Sequence, residues 1–489
     1  MMSAGDPGLQ QDAKNGGGGS AALPTPRLAR AVLAHRLVVP QAVSGRFRRI
    51  KWVVLILVLT IWYVTPFLRW DRGVKAPGQA VLLDFAHGRL HVFSLEIWPQ
   101  DFYVVTGMLI VAVLALILAN ALSGRVWCGF ACPQTVWTDL FLRVERIVQG
   151  DRRARIRRME GPGNVARVFR LALTHMLFLV ISLITAIVLV GYFTDLPDLL
   201  RALASNEASA VALTSILVFT GTTYSLAGFA REQVCTFMCP WPRLQGAIWD
   251  PEAFTVNYRD YRGESRMSAR KAAELRERGA AAGDCVDCAL CVNVCPIGID
   301  IREGPNFACI NCGLCVDACD GVMAKLGRKR GLIDFESWTN VERGRRGEPR
   351  QNRLLRTKTV GLTFLVLGLV AALAGLLASR ASVVMTVLHD RDPLVVTLSD
   401  GSVRNAYTVK LLNKTDIMRH FSLAIEGIDA TLEIVGRSGG ATLGVEPNGS
   451  VAVRVTVTTN YVAGNVPLRF IASDDSGNFV SVSDRFLVP

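Results

Sequence analysis

Residues 285–319 read CVDCALCVNVCPIGIDIREGPNFACINCGLCVDAC. Two runs of C-x2-C-x2-C-x3-C occupy this stretch: Cys285, Cys288, Cys291 and Cys295, then Cys309, Cys312, Cys315 and Cys319. Three thiolates spaced this closely cap three irons of one cubane, and the fourth cysteine of each run reaches the other cluster. The expected ligand sets are therefore Cys285, Cys288, Cys291 and Cys319 for one 4Fe–4S cluster, and Cys309, Cys312, Cys315 and Cys295 for a second. Zinc fits less well, because a single tetrahedral ion has no use for eight thiols at triple spacing. Interleaved ligation brings the clusters close together and makes a relay for single electrons. Pro296 follows Cys295, the usual companion of this spacing, but Asp320 follows Cys319. The turn after that ligand is expected to differ.

Outward from this core, the chain is written for a membrane. Of 489 residues, 51% are hydrophobic. Five apolar runs approach the roughly 20 residues that cross a hydrocarbon core: 52–68, 102–122, 168–193, 208–229 and 359–378. The net charge is +13, but its distribution argues against nucleic acid. Arg46, Arg48, Arg49 and Lys51 precede the first run, seven arginines at 143–158 follow the second, and Arg350, Arg353, Arg356 and Lys358 precede the fifth. These are the loops that a cytoplasmic positive charge bias would hold inside. The N-terminus is then cytoplasmic and the C-terminus lies across the membrane. All twelve cysteines fall between residues 128 and 319, on or near the reducing side, which favours metal ligation over disulfides.

Four cysteines remain outside the core. VWCGFACPQTVW (126–137) carries Cys128 and Cys132, and VCTFMCPWPRLQ (234–245) carries Cys235 and Cys239. Each C-x3-C-P closes an even-numbered apolar run, so the membrane part reads as two hairpins, each ending in a thiol pair on the cytoplasmic side. Helical i, i+4 spacing would put both sulfurs of a pair on one face, with Pro133 and Pro240 ending or bending the helix. The bland reading is cysteine as a small packed hydrophobe. Two matched pairs at one membrane face favour a soft site with Met238 nearby, for Cu(I), zinc or an Fe–S centre, or a dithiol redox pair. Arg125, Arg231 and Arg243 are close in sequence and would supply a positive field.

The remaining signals set the frame. Residues 1–45 read as a disordered cytoplasmic tail, with the first 30 Gly- and Ala-rich and lacking an apolar core. Residues 46–239 hold four membrane helices with the two C-x3-C-P motifs, 240–358 a cytoplasmic domain with two 4Fe–4S clusters, and 359–379 the fifth helix. Beyond residue 380 the pattern turns to period two, as in SVAVRVTVTT with Val451, Val453, Val455 and Val457 on one face. Seven or eight short strands suggest an immunoglobulin-like sandwich across the membrane. His87 and His91 sit four apart in the first outer loop. His175 has no intramembrane histidine to share a haem with. No G-x-G-x-x-G fingerprint, Walker A loop or hydrolase triad stands out. The expected fold is a multi-domain membrane protein: a five-helix transmembrane α-bundle, a ferredoxin-like insert and a C-terminal immunoglobulin-like β-sandwich.

Taken together, WPQDFY, WCGFACPQTVWTD, CTFMCPWPRLQGAI, the eight-cysteine core, CDGVMAKLGRKRGLI, LLNKT and PLRF resemble the cytochrome c oxidase accessory proteins called CcoG, FixG or RdxA. The resemblance covers nearly the whole chain after about residue 40. It implies a bacterial inner-membrane ferredoxin that helps assemble cbb3-type cytochrome c oxidase by reducing Cu(II) to Cu(I). Carried over, Cys128, Cys132, Cys235 and Cys239 become copper thiols, and the partners become copper-delivery and oxidase-assembly proteins, with an unassigned electron donor. Two rival readings stand beside it. One is a quinol-linked polyferredoxin of anaerobic respiration, which shares the core but not the sandwich. The other is a copper-holding scaffold whose clusters are structural.

Overall fold

The computed structural model describes residues 38–488, apart from 73–76, 416, 437–441, 461–463 and 476. The tail expected over residues 1–37 lies outside the described residues. Residues 38–45 do not continue it as a loose segment. Val39 is buried, Gln41 donates its backbone N–H to Asn293, and Val38 packs against Gly298, so this segment lies along the cysteine-rich domain.

Among the described residues, five helices are long and apolar enough to cross a membrane: Arg46–Phe67, Phe102–Ser123, Val165–Val190, Ala210–Ala247 and Thr357–Ala378. Their lipid-facing side chains, such as Leu57, Leu109, Leu217 and Phe364, are exposed in the bundle, as an apolar solvent permits. The spans do not pair as two successive hairpins. The second span packs chiefly on the fifth, where Gly107 lets Leu373 approach. The third packs on the fourth. The space between the first, third and fourth is filled by an additional helix, Pro133–Gln149, through Val136, Trp137 and Phe141. Trp137 donates to Thr185 at 3.1 Å, and Phe141 stacks on Phe178 at 4.2 Å.

At one end of the bundle, the segment after the fourth span folds as a small α/β insert. Strand Thr255–Tyr258 pairs antiparallel with Ile333–Glu336, in the register Val256 to Phe335. Helices Leu290–Asn293 and Leu314–Lys325 lie against this ribbon.

At the opposite end sit two β units. The loop between the first two spans forms an unforeseen three-stranded sheet, Val81–Asp84, Arg89–Val92 and Leu95–Ile97. Beyond the fifth span, nine strands make a sandwich of a five-stranded and a four-stranded sheet. Its core is the period-two face: Tyr407, Val409, Leu411, Val455 and Val457 of one sheet against Phe421, Leu468, Phe470 and Phe486 of the other. Lys414 ties it to the bundle. Its ammonium lies 2.8 Å from Asp101, the residue just before the second span, and Arg380 adds a second contact at 3.4 Å.

Candidate functional site

The two cysteine runs are built on one backbone device. Asp287 and Ala289 have left-handed φ angles of 49° and 53°, and Asn311 and Gly313 occupy the same places in the second run with 52° and 71°. These reversals wrap each C-x2-C-x2-C loop around its own centre and launch a helix immediately after it. Asp and Asn tolerate this conformation best among residues with a side chain; Ala289 carries a cost of roughly 1–2 kcal/mol.

The loops enclose two cavities. One is lined by Cys285, Cys288, Cys291 and Cys319, with Arg302 beside them. The other is lined by Cys295, Cys309, Cys312 and Cys315, with the Cys291 turn between the two. Burial pushes the Cys291 and Cys295 thiols up to about 11 and those of Cys309 and Cys319 up to about 12. Bare thiolates are disfavoured here, so a metal must displace the protons and supply the compensating charge. Eight sulfurs around two small apolar chambers suit a pair of cubanes. Among the described residues no three His, Cys, Asp or Glu side chains converge on a single ion.

Asp320 accounts for the missing proline. Helix Leu314–Lys325 continues six residues past Cys319, where proline would remove a helical hydrogen bond. The Asp320 carboxylate instead accepts the Gly331 N–H at 2.7 Å, pinning the strand that follows.

The insert is fastened to the bundle at three close approaches. Asp317, between two cysteines of the second run, caps the first span: its carboxylate accepts the N–H groups of Phe47 at 3.1 Å and Arg48 at 2.7 Å. A Cβ on Gly45 would lie 2.3 Å from that carboxyl carbon. Gly124, with φ of 56°, ends the second span against Asn311. Gly129, inside the first C-x3-C-P, packs on the backbone of Cys312; a Cβ there would stand 2.4 Å from the Ile310 carbonyl oxygen and 3.1 Å from Cys312 Cα.

The four remaining thiols therefore meet the insert directly. Cys128 is buried in one apolar cluster with Ile310, Cys312 and Leu314. Cys235 lines a cavity with Ile310, against which Cys128 also packs, so one thiol of each pair lies beside the same residue. That cavity, of about 30 Å³, is also lined by Lys51, Asp139, Arg231 and Pro296. The expectation of two sulfurs on one helical face does not hold. Cys132 and Cys239 are extended, at ψ of 130° and 125°, and Cys132 caps the helix that Pro133 begins. Proline at the first helical position starts a helix as readily as an internal one stops it. Cys128 sits on a short helix, Val126–Phe130, and Cys235 on a π-helical turn, Val234–Met238. These thiols form an open neighbourhood of sulfurs, not a closed cage.

Around them, buried charges are paired. Arg48 grips Asp139 with both Nη1 contacts at 2.9 Å. Arg231, at φ of 36°, binds Glu145 and donates its Nε–H to the Gly228 carbonyl at 2.7 Å. Arg243 of the expected positive field has no such contact here. Met238 is exposed. The histidines stand apart from the thiols: His87 pairs with Asp84, His91 is buried under Glu96, and His175 meets the Tyr224 hydroxyl at 3.0 Å.

Comparison with known proteins identifies the lineage. Residues 230–338 match the family model described as a 4Fe-4S dicluster domain, and residues 105–153, which include the first C-x3-C-P, match one described as a 4Fe-4S binding domain. Residues 373–489 match the IG-like fold at the C-terminus of FixG. The nitrogen fixation protein FixG of Rhizobium meliloti is 44% identical over 87% of this chain and 86% of its own. The chain belongs to the FixG/RdxA family. Protein RdxA of Cereibacter sphaeroides is 46% identical over 86% of this chain and 89% of its own. A solved FixG-related protein from Vibrio parahaemolyticus is 25% identical over 22% of this chain and 97% of its own, with a TM-score of 0.20. This FixG/RdxA relative is thus an integral membrane iron–sulfur protein of the electron-transfer kind.

Eight of the twelve sequence-assigned thiols line the two chambers, and four gather beside them. Gly129, Asp317 and Gln245, whose Oε1 accepts from Cys128 at 3.8 Å, were not singled out in the sequence. Gly129 and Asp317 each lie between two cysteines of a motif, which is the sequence signal that marks them.

Proposed function

We propose that this FixG/RdxA protein reduces Cu(II) to Cu(I) at Cys128, Cys132, Cys235 and Cys239 and supplies the product to assembly of a cbb3-type cytochrome c oxidase. In this reading Cys285, Cys288, Cys291 and Cys319 hold one 4Fe–4S cluster, and Cys309, Cys312, Cys315 and Cys295 the other. When bound, these clusters supply one-electron storage. The observation that carries the reading is the contact of Gly129 with the Cys312 backbone, which leaves no layer of side chains between the membrane thiols and the insert. The substrate Cu(II) gains one electron and no bond order changes elsewhere. Soft thiolates bind the Cu(I) product better than the harder Cu(II), so they favour the reduction as well as the capture. Arg125, beside Cys128, offsets the charge of ionised sulfurs. An open neighbourhood suits handing copper to a delivery partner better than a closed cage would.

The charge bias of the loops supports an insert on the cytoplasmic side of the inner membrane and a periplasmic sandwich, so that protease added to spheroplasts should remove the sandwich and spare the insert. The decisive experiment replaces all four membrane thiols with serine. The variant should keep its Fe–S absorption and lose Cu(II) reduction under anaerobic conditions; unchanged reduction would overturn the copper role.

A further inference from the structure

A cavity of about 160 Å³ lies where the second span ends, between the two thiol sets. Cys309, a proposed cluster ligand, forms one wall. Gln245, bonded to Cys128, forms another. Asn120, in the last turn of the second span, lines the membrane side, and Trp249 and Phe307 supply aromatic faces. The lining is mostly apolar. Trp249 is 41% and Phe307 69% exposed, a pattern of aromatic rings suited to the level of lipid headgroups.

Among the described residues, one buried polar atom in this lining has no partner. Arg125 is only 7% exposed, and its guanidinium donates to the Phe307 carbonyl, but its Nε–H is buried without an acceptor. An orphaned buried donor costs about 1–3 kcal/mol, so an occupant with an acceptor oxygen would relieve it. Size narrows the class further. A cavity of about 150 Å³ takes one benzene-sized ring, so this space matches a single ring better than the three fused rings of a flavin or the bulk of a dinucleotide. A lipid acyl chain would fit the walls but offers no acceptor to Arg125.

We infer that this cavity binds the head group of a membrane quinol, with a ring oxygen on Arg125 Nε–H, the ring between Trp249 and Phe307, and the tail leaving past Asn120 into lipid. The inference names an electron donor and so rests on the electron-transfer reading of the insert; it does not depend on copper. A quinol that breaks its two O–H bonds gives up two electrons and two protons and becomes the quinone. The clusters that the two cysteine sets would hold could take one electron each, and the two protons would leave to water at the mouth of the cavity. The contribution of this chain is position: the ring would stand against Cys309.

The test uses the full-length holoprotein in detergent and a short-tailed photoreactive azidoquinone, with the labelled peptides mapped by mass spectrometry. Label should fall within residues 241–249 or 305–311 and be displaced by an unlabelled decyl quinone. Gly246→Leu places a side chain towards Phe307, whose ring is 3.3 Å from a Cβ at that position, and should weaken binding at least tenfold. Arg125→Lys keeps the charge, removes the Nε–H and should weaken it similarly. Label that is not displaced, label elsewhere, or unchanged affinity in both variants overturns the inference. The four-serine variant must still be labelled. If it fails to reduce copper while retaining the label, the copper role and the quinol site have been tested separately.

Discussion

The two C-x3-C-P segments are alike in sequence and unlike in backbone. The first follows a left-handed Gly124, forms one short helix and presses Gly129 on the Cys312 loop. The second follows a left-handed Arg231, unwinds into π-helical turns and leaves Cys235 on a polar cavity. One pair is seated against the insert, and the other is held by a buried ion pair. In the proposed copper reading this contrast becomes a division of labour, with contact assigned to one thiol pair and access to the other. Single-turn π-helical bulges inside α-helices are frequently functional sites, which fits the second pair.

This contrast can be broken from either side. The largest effect is expected at Glu145→Gln, which leaves Arg231 and Arg155 without their buried counter-charge. It should destabilise the protein by about 3–5 kcal/mol, read as a lower thermal midpoint in detergent. Fourth-span amides around Cys235 should lose hydrogen-exchange protection first; uniform loss would show that the ion pair does not single out the second pair. Gly129→Ala comes next. It forces a Cβ into the Ile310 carbonyl, an overpacking cost of about 1–3 kcal/mol, and should slow copper reduction without changing the Fe–S absorption.

Serine at Cys128 and Cys132 should lower the saturated rate of Cu(II) reduction at least tenfold. Serine at Cys235 and Cys239 should instead raise the copper concentration for half-maximal rate by a similar factor. Equal effects on both parameters in both variants would abolish the proposed division. The smallest effect is Asp317→Ala, the loss of a helix cap worth roughly 0.5–2 kcal/mol. Hydrogen exchange should show the N–H groups of Phe47 and Arg48 losing protection while the second span is unaffected.

How far the sequence was readable follows from which interactions are local. Cluster loops depend on spacing within a dozen residues, and spans on unbroken apolar runs, so both were legible. So was the sandwich, whose alternating Val455 and Val457 point to one core. Pro133 misled because proline ends one helix and begins another by the same missing N–H, and only the fold selects which. The pairing of the second span with the fifth joins residues some 250 positions apart, and nothing in either run names its partner. The helix Pro133–Gln149 carries Asp139 and Glu145 and so reads as a surface element; their partners Arg48 and Arg231 come from elsewhere. For the same reason the thiol site was only half visible: the cysteines could be found, but the glycine that seats them could not be weighed without its neighbour.

The cap on the first span also sets an order of events. Asp317 lies 270 residues downstream of the N–H groups it receives. At a synthesis rate of about 5–20 residues per second, that separation is on the order of 15–50 seconds. Throughout this interval the first helix can already be in the bilayer with its leading turn unfinished. The bundle is thus inserted open at that end and is closed by a domain made later, on the helix that also carries Cys315 and Cys319. Maturation of the insert and locking of the membrane part become one event. A chain that fails to fold its cysteine-rich segment would remain embedded but unlatched, a state that quality control could recognise by its exposed first turn.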